Sequence, residues 1–140
     1  MKDASGARDD ELAKLALKAR DASYSPYSGY AVGAALVAGG ALHTGANIEN
    51  ASYGLTICAE RTAISRAVLE GARALDAIAI ATASSPPAAP CGMCLQTLLE
   101  FSPDPRTTRV LLVNPEGERR AFTLAELVPH GFVPASLRSV

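Results

Sequence analysis

Apolar residues recur with a helical period at the start of the chain and then switch to the period of strands. Leu12, Leu15, Ala16 and Ala19 stand at i, i+3, i+4 and i+7, which lines one stripe of a helix with apolar side chains. Asp9 or Asp10 is placed to cap that helix, and residues 1–8 are expected to form a loose leader. The turn-rich run SYSPYSGY, residues 23–30, ends it before Pro26. AVGAALVA (31–38) and ALHTGANI (41–48), joined by Gly39–Gly40, have the pattern of a β-hairpin. A helix is predicted from Ile57 to Glu70, with Thr56 as its N-cap and Gly71 past its end.

The second half continues with runs short enough for strands. Residues 75–82 form an apolar stretch without alternation, as in a strand covered on both faces. SSPPAAP (84–90) is a loop that opens a helix from Cys91 to about Phe101, and RVLLV (109–113) is a second buried strand. NPEG (114–117) turns the chain into ERRAF (118–122), which pairs back as a hairpin. Thr123 and Glu126 have capping-box spacing for a last short helix, stopped near Pro129. The order α-β-β-α-β-α-β-β-α places a buried sheet between two helical layers, in one domain over 1–140.

Bulk properties narrow the function. A chain of 140 residues buries about two-thirds of its unfolded surface. Formal net charge is -1, and Lys14, Lys18, Arg119 and Arg120 are scattered. No basic stripe suited to a polynucleotide backbone is visible, which favours a small substrate over a nucleic-acid polymer. The opening MKDASGARDD is polar, and no segment has the pattern of a secretory signal or a membrane span, so the cytoplasm is the expected location and no membrane partner is expected.

Three cysteines are too few for a disulfide framework, and their placement is the stronger signal. Cys91-Gly-Met-Cys94 puts two sulfurs on one face of a predicted helix start, and Cys58 falls in the first turn of the other central helix. Helix N-termini favour thiolate over thiol, and soft thiolates favour zinc. Three ligands leave a tetrahedral position open, as catalytic zinc sites do, unless His43 or His130 closes it. A thioredoxin-type redox pair at Cys91 and Cys94, or three unrelated core cysteines, stay open at this point. Glu60 is near enough to reach over the helix end toward a metal-bound water; its alternative is a solvated acid near a helix N-terminus.

C-A-E at 58–60 followed by P-C-G-M-C at 90–94 resembles the zinc deaminase signature. With SPYSGYAVGAAL (25–36), GANIENASY (45–53) and CAERTAI (58–64), the chain is similar to the small, homotetrameric class of cytidine deaminases, from about Ser23 to Phe132. The resemblance implies an α/β fold, a three-layer α/β/α sandwich with a mixed five-stranded central sheet. It implies one Zn²⁺ per subunit on Cys58, Cys91 and Cys94, with Glu60 as the proton shuttle. Arg61, three residues after Cys58, is placed to donate to the cysteine sulfurs, the role the resemblance also gives it. Asn47 and Glu49, two apart on a predicted strand and so about 7 Å apart on one face, suit ribose hydroxyls; in the family the matching pair binds the 3′-hydroxyl. Ala59 and Tyr30 match positions at the base, and Tyr53 and Phe132 match positions contributed across subunit boundaries. One departure is Leu95-Gln96, where the family usually carries Arg-Gln.

The implied activity is hydrolytic deamination of cytidine and 2′-deoxycytidine, in pyrimidine salvage, with release of ammonia. Two alternatives are a related deaminase for another nucleoside, such as a blasticidin-type antibiotic, and a non-catalytic zinc-stabilised scaffold of the same fold.

Overall fold

A computed structural model describes residues 4–138. Its elements are α1 (Ala4–Ala19), β1 (Gly33–Ala38), β2 (Ala41–Ala46), α2 (Ala59–Leu69), β3 (Leu75–Ala81), α3 (Gly92–Phe101), β4 (Arg109–Val113), β5 (Arg119–Thr123), α4 (Leu124–Leu127) and α5 (Pro134–Leu137). The sheet runs β2-β1-β3-β4-β5; β3 and β4 are parallel and the other neighbours antiparallel. This is the mixed five-stranded sheet expected.

Period-two alternation divides the central strands between two cores. Ala34, Leu36, Ile78, Ile80, Val110 and Leu112 point to α2 and α3, where they meet Ala63, Ile64, Ala67, Leu98 and Leu99. Ala35, Val37, Ala77, Ala79, Leu111 and Val113 point the other way, onto Leu12, Ala13 and Ala16 of α1. Covered on both faces, these strands have no polar side to show in the sequence. Asp9 and Asp10 of α1 pair with Arg109 and Arg119 at 2.8 and 2.5 Å, pinning the helix across the β4–β5 end of the sheet. Among the described residues no helix is long and apolar enough to cross a membrane.

The β1–β2 turn is the two-residue link expected: Gly39 and Gly40 have φ of +60° and +78°, which matches the right-handed twist of a hairpin. Gly45 serves a close approach instead. A Cβ there would overlap Ala63 N and Ala59 O, backbone atoms of α2 that cannot swing aside. Thr62 Oγ1 donates to Ala46 O at 2.9 Å across the same contact. Gly45→Ala should therefore destabilise by at least about 2 kcal/mol, read as a lower urea midpoint at unchanged slope.

Several boundaries differ from expectation. The first helix begins at Ala4, so the supposed leader is helical from there; residues 1–3 lie outside the described residues. Arg8 belongs to that added length and pairs at 3.2 Å with Glu11, one turn further on. Asp9 and Asp10 thus lie inside the helix and do not cap it. The second central helix begins at Ala59, not Ile57, because Ile57 exchanges two 2.9 Å backbone hydrogen bonds with Ile48 and stays extended. Thr56 consequently is not its N-cap. Strand β2 stops at Ala46, so Asn47 and Glu49 flank that one-residue bridge and do not lie on the strand itself. The Thr123–Glu126 capping box is present as predicted, and α5 is an additional turn the sequence pattern did not signal.

Candidate metal centre and cavity

Two helix mouths meet at one end of the sheet. Cys58 is the N-cap of α2 and Cys91 the N-cap of α3, each with extended backbone (φ near −70°, ψ 155° and 166°). Cys94 follows one turn into α3. Their three sulfurs lie within 4.8 Å of one another, and Cys91 Sγ is 3.5 Å from Cys94 Sγ. Among the described residues no other group of three His, Cys, Asp or Glu is gathered closely enough to share an ion. Neither histidine belongs to the cluster. His43 is buried on β2 with Nδ1 3.1 Å from Glu70.

The donor set fits zinc. Bonds of about 2.3 Å in tetrahedral array put sulfurs about 3.8 Å apart, close to what Cys91 and Cys94 already show. Three sulfurs and no imidazole leave one tetrahedral position free of protein. Both helices point their positive ends at the cluster, which favours anionic sulfur.

Glu60 is the second residue of α2 and is 5% exposed. Its Oε2 is 3.5 Å from Cys94 Sγ. The looser first turn lets this side chain fold back to the cluster even though it is only two residues from Cys58. Burial pushes its carboxyl up, and the negative Cys58 sulfur adds to the shift. The Cys58 thiol is lowered to about 5, chiefly by the hydrogen bond from Cys94 and further by Arg61. Cys94 shifts upward for the complementary reason, its bond to Cys58, together with burial and Glu60. Arg61 Nη2 stands 3.7 Å from Cys58 Sγ and donates to Thr56 O at 3.1 Å. Leu95 of α3, which stands where the family usually carries Arg, is partly buried against the core on that face of the sheet.

A cavity of about 320 Å³ opens beside the sulfurs, and Tyr30, Asn47, Glu49, Cys58, Ala59, Glu60 and Cys91 are among its lining. Its position beyond the carboxyl end of β3 is where α/β sheets take ligands. Asn47 is buried: its Oδ1 accepts from Ser23 Oγ (2.5 Å) and Val32 N (2.9 Å), and its Nδ2 donates to Tyr30 O (2.8 Å). Glu49 accepts from Tyr27 N and Ser28 N at 3.0 Å each, and from Ser28 Oγ. These bonds, led by Ser28, hold its carboxyl below the usual range.

Two predicted residues are not brought into the cavity. Tyr53 is 76% exposed, edge-on to Tyr27 in an adjoining hollow. Phe132 is 56% exposed, and only its carbonyl is engaged, by Gln96 Nε2 at 2.7 Å. Sequence reasoning missed Ser28, Thr82, Ala88 and Ala89, which also line the cavity. Small loop residues carry no chemical signature, and only the turn-rich composition of 23–30 and 84–90 marked their segments.

The model for the cytidine and deoxycytidylate deaminase zinc-binding region matches residues 7–110. A cytidine deaminase of Halalkalibacterium halodurans is 48% identical over 122 residues, 86% of this chain and 91% of that protein. One from Mycobacterium tuberculosis is 40% identical over 118 residues, 84% of each chain. The crystal structure of cytidine deaminase from Burkholderia pseudomallei superposes with a TM-score of 0.83 at 42% identity, covering 88% of this chain and 98% of that one. The match takes in all three cysteines and Glu60, and the chain belongs to the cytidine and deoxycytidylate deaminase family.

Proposed function

We infer that this protein is a zinc-dependent cytidine deaminase that hydrolyses cytidine and 2′-deoxycytidine to the uridine products and ammonia. The observation that carries this is the buried carboxylate of Glu60 beside a three-sulfur cluster, at the wall of a nucleoside-sized cavity. A different nucleoside substrate and a non-catalytic scaffold are not favoured, since curated relatives across most of the chain are cytidine deaminases. A scaffold also has no use for a buried acid beside an open metal position.

Cys58, Cys91 and Cys94 would hold one zinc per chain. When bound, zinc acidifies water enough to supply hydroxide near neutral pH. Glu60 moves the protons: its carboxylate takes one from the attacking water and delivers it to N3 of the cytosine ring, then takes the remaining proton from the hydroxyl now on C4 and hands it to the amine as that leaves. A carboxyl raised by burial is suited to both halves, because its affinity for a proton lies nearer the working pH. Arg61 offsets the excess negative charge of three thiolates. Ala59 and Tyr30 would line the base, with Asn47 and Glu49 on the ribose 3′-hydroxyl.

Glu49 tests the ribose contact with a built-in control: its carboxylate also accepts from Tyr27 and Ser28, but Gln keeps an acceptor oxygen for that segment, and a loop effect would strike substrates with or without the 3′-hydroxyl. Glu49→Gln should raise KM for cytidine about tenfold, as for one hydrogen bond to a charged group, with kcat little changed. On 2′,3′-dideoxycytidine the substitution should make no further difference. Turnover followed by loss of ultraviolet absorbance reads both, and an equal penalty on the two substrates would remove Glu49 from the 3′-hydroxyl.

A cytoplasmic role in pyrimidine salvage and a homotetrameric assembly complete the proposal. Assembly is supported by Tyr53 and Phe132, large exposed aromatics at positions where the family resemblance calls for contributions to a neighbour's site. Light scattering should give four chains per particle, and a fully active monomer would contradict it.

A further inference from the structure

The loop 82–91 forms one wall of the cavity and ends at Cys91, yet it belongs to no helix or strand. Thr82 N donates to Val113 O at 3.1 Å and Ala88 N to Thr82 Oγ1 at 3.2 Å, which hold the loop's start; its middle at 84–85 depends on contacts from outside, because a stretch without ladder hydrogen bonds is free to open locally. From the turn between β4 and β5, Asn114 and Glu118 reach its middle. Asn114 is 1% exposed. Its Oδ1 accepts from Glu118 N at 2.9 Å, which sets the turn, while its Nδ2 donates to Ser84 O at 3.1 Å and to Glu118 Oε1 at 2.9 Å. The same Glu118 oxygen accepts from Ser85 Oγ. On the other side, Ser84 Oγ lies 2.6 Å from the hydroxyl of Tyr30, which lines the facing wall.

We propose that Glu118 and Asn114 are positioning residues for the nucleoside cavity, tethering Ser84 and Ser85 so that loop 82–91 and Tyr30 stand at a fixed spacing. This rests on the deaminase function inferred above. Neither residue lines the cavity, and Glu118 is solvent-exposed. Their action on substrate passes through the loop. Glu60 and Cys94 sit on α2 and α3 and Cys58 caps α2, while Cys91, where the loop ends, is tied to α3 by Leu95 N donating to its carbonyl at 3.0 Å, so a slack loop should cost binding more than chemistry.

Glu118→Ala and Ser85→Ala test the tether from its two ends, both at exposed positions where folding is not at risk. Each should raise KM for cytidine about fivefold, the worth of one hydrogen bond, with kcat within about twofold of the parent. The double variant should be no worse than Glu118→Ala alone, which already removes the bond to Ser85. Glu118→Gln keeps an acceptor oxygen and should restore most of the loss. Amide hydrogen exchange in 82–89 should quicken in both alanine variants, whether or not the protein turns over cytidine. Parent KM together with parent exchange rates in Glu118→Ala overturns the proposal, and so do fully additive single effects. A parent protein with no cytidine turnover would instead refute the deaminase function, leaving the exchange measurement to judge the tether.

Discussion

Glu60→Gln should lower kcat on cytidine by about two to four powers of ten, the range of a positioned acid–base group, while metal content stays at the parent level. The substitution keeps the shape of the side chain and removes only its ability to carry a proton. Because Glu60 is 5% exposed and faces the negative Cys58 sulfur, its ionised form is penalised in the folded protein. A carboxyl whose folded pKa lies above its unfolded value loses stability as pH rises through that interval and stays penalised above it. At neutral pH the amide escapes the penalty, so the variant should melt no lower than the parent. Lost turnover with retained or improved stability is the signature of a site residue kept for chemistry. Turnover at the parent rate would remove Glu60 from the proton path, whatever the zinc content.

The strands and the metal cluster were legible because each rests on a local rule. RVLLV and LDAIAIA are apolar at every position that a sheet covered on both faces demands, and Gly39–Gly40 is a turn written in two residues. Cys91 and Cys94 share a helical face by spacing alone. What the sequence did not carry were the contacts that override local preference. Ile57 stays extended because a partner 9 residues earlier pairs with it, so Cys58 caps the helix and is not within it. That shift of two positions matters: an N-cap side chain projects across the helix mouth, toward the sulfurs of α3. Asn47 likewise looked like a ligand for ribose and turns out to be the anchor of three chain segments as well. Loop walls such as Thr82 and Ala88 were invisible, since Thr82 is placed by Val113, far along the chain, and Ala88 in turn by the Thr82 hydroxyl.

Metal removal should abolish turnover and soften the protein without unfolding it. The two cores on either side of the sheet hold together through apolar contacts that do not involve the sulfurs, apart from the buried Cys94. Far-ultraviolet circular dichroism of the metal-free protein should therefore keep its helix and strand content, unlike that of a zinc finger. Zinc present at about a thousandfold above its dissociation constant adds about 4 kcal/mol to the folded state, so stripping it should lower the melting temperature by about 14 °C for a domain of this size. Recovery of the metal should depend on pH with a definite sign. Cys58 is ionised already at neutral pH, with its thiol lowered to about 5, whereas the Cys94 proton is held by its bond to Cys58, by burial and by Glu60. Loading must displace that proton, so acid competes with zinc and affinity should fall as pH falls. Titration with a chromophoric chelator across pH 6 to 8 measures this directly. Affinity that is flat over the range, or a metal-free protein that still deaminates cytidine, would break the link between the three sulfurs and the reaction.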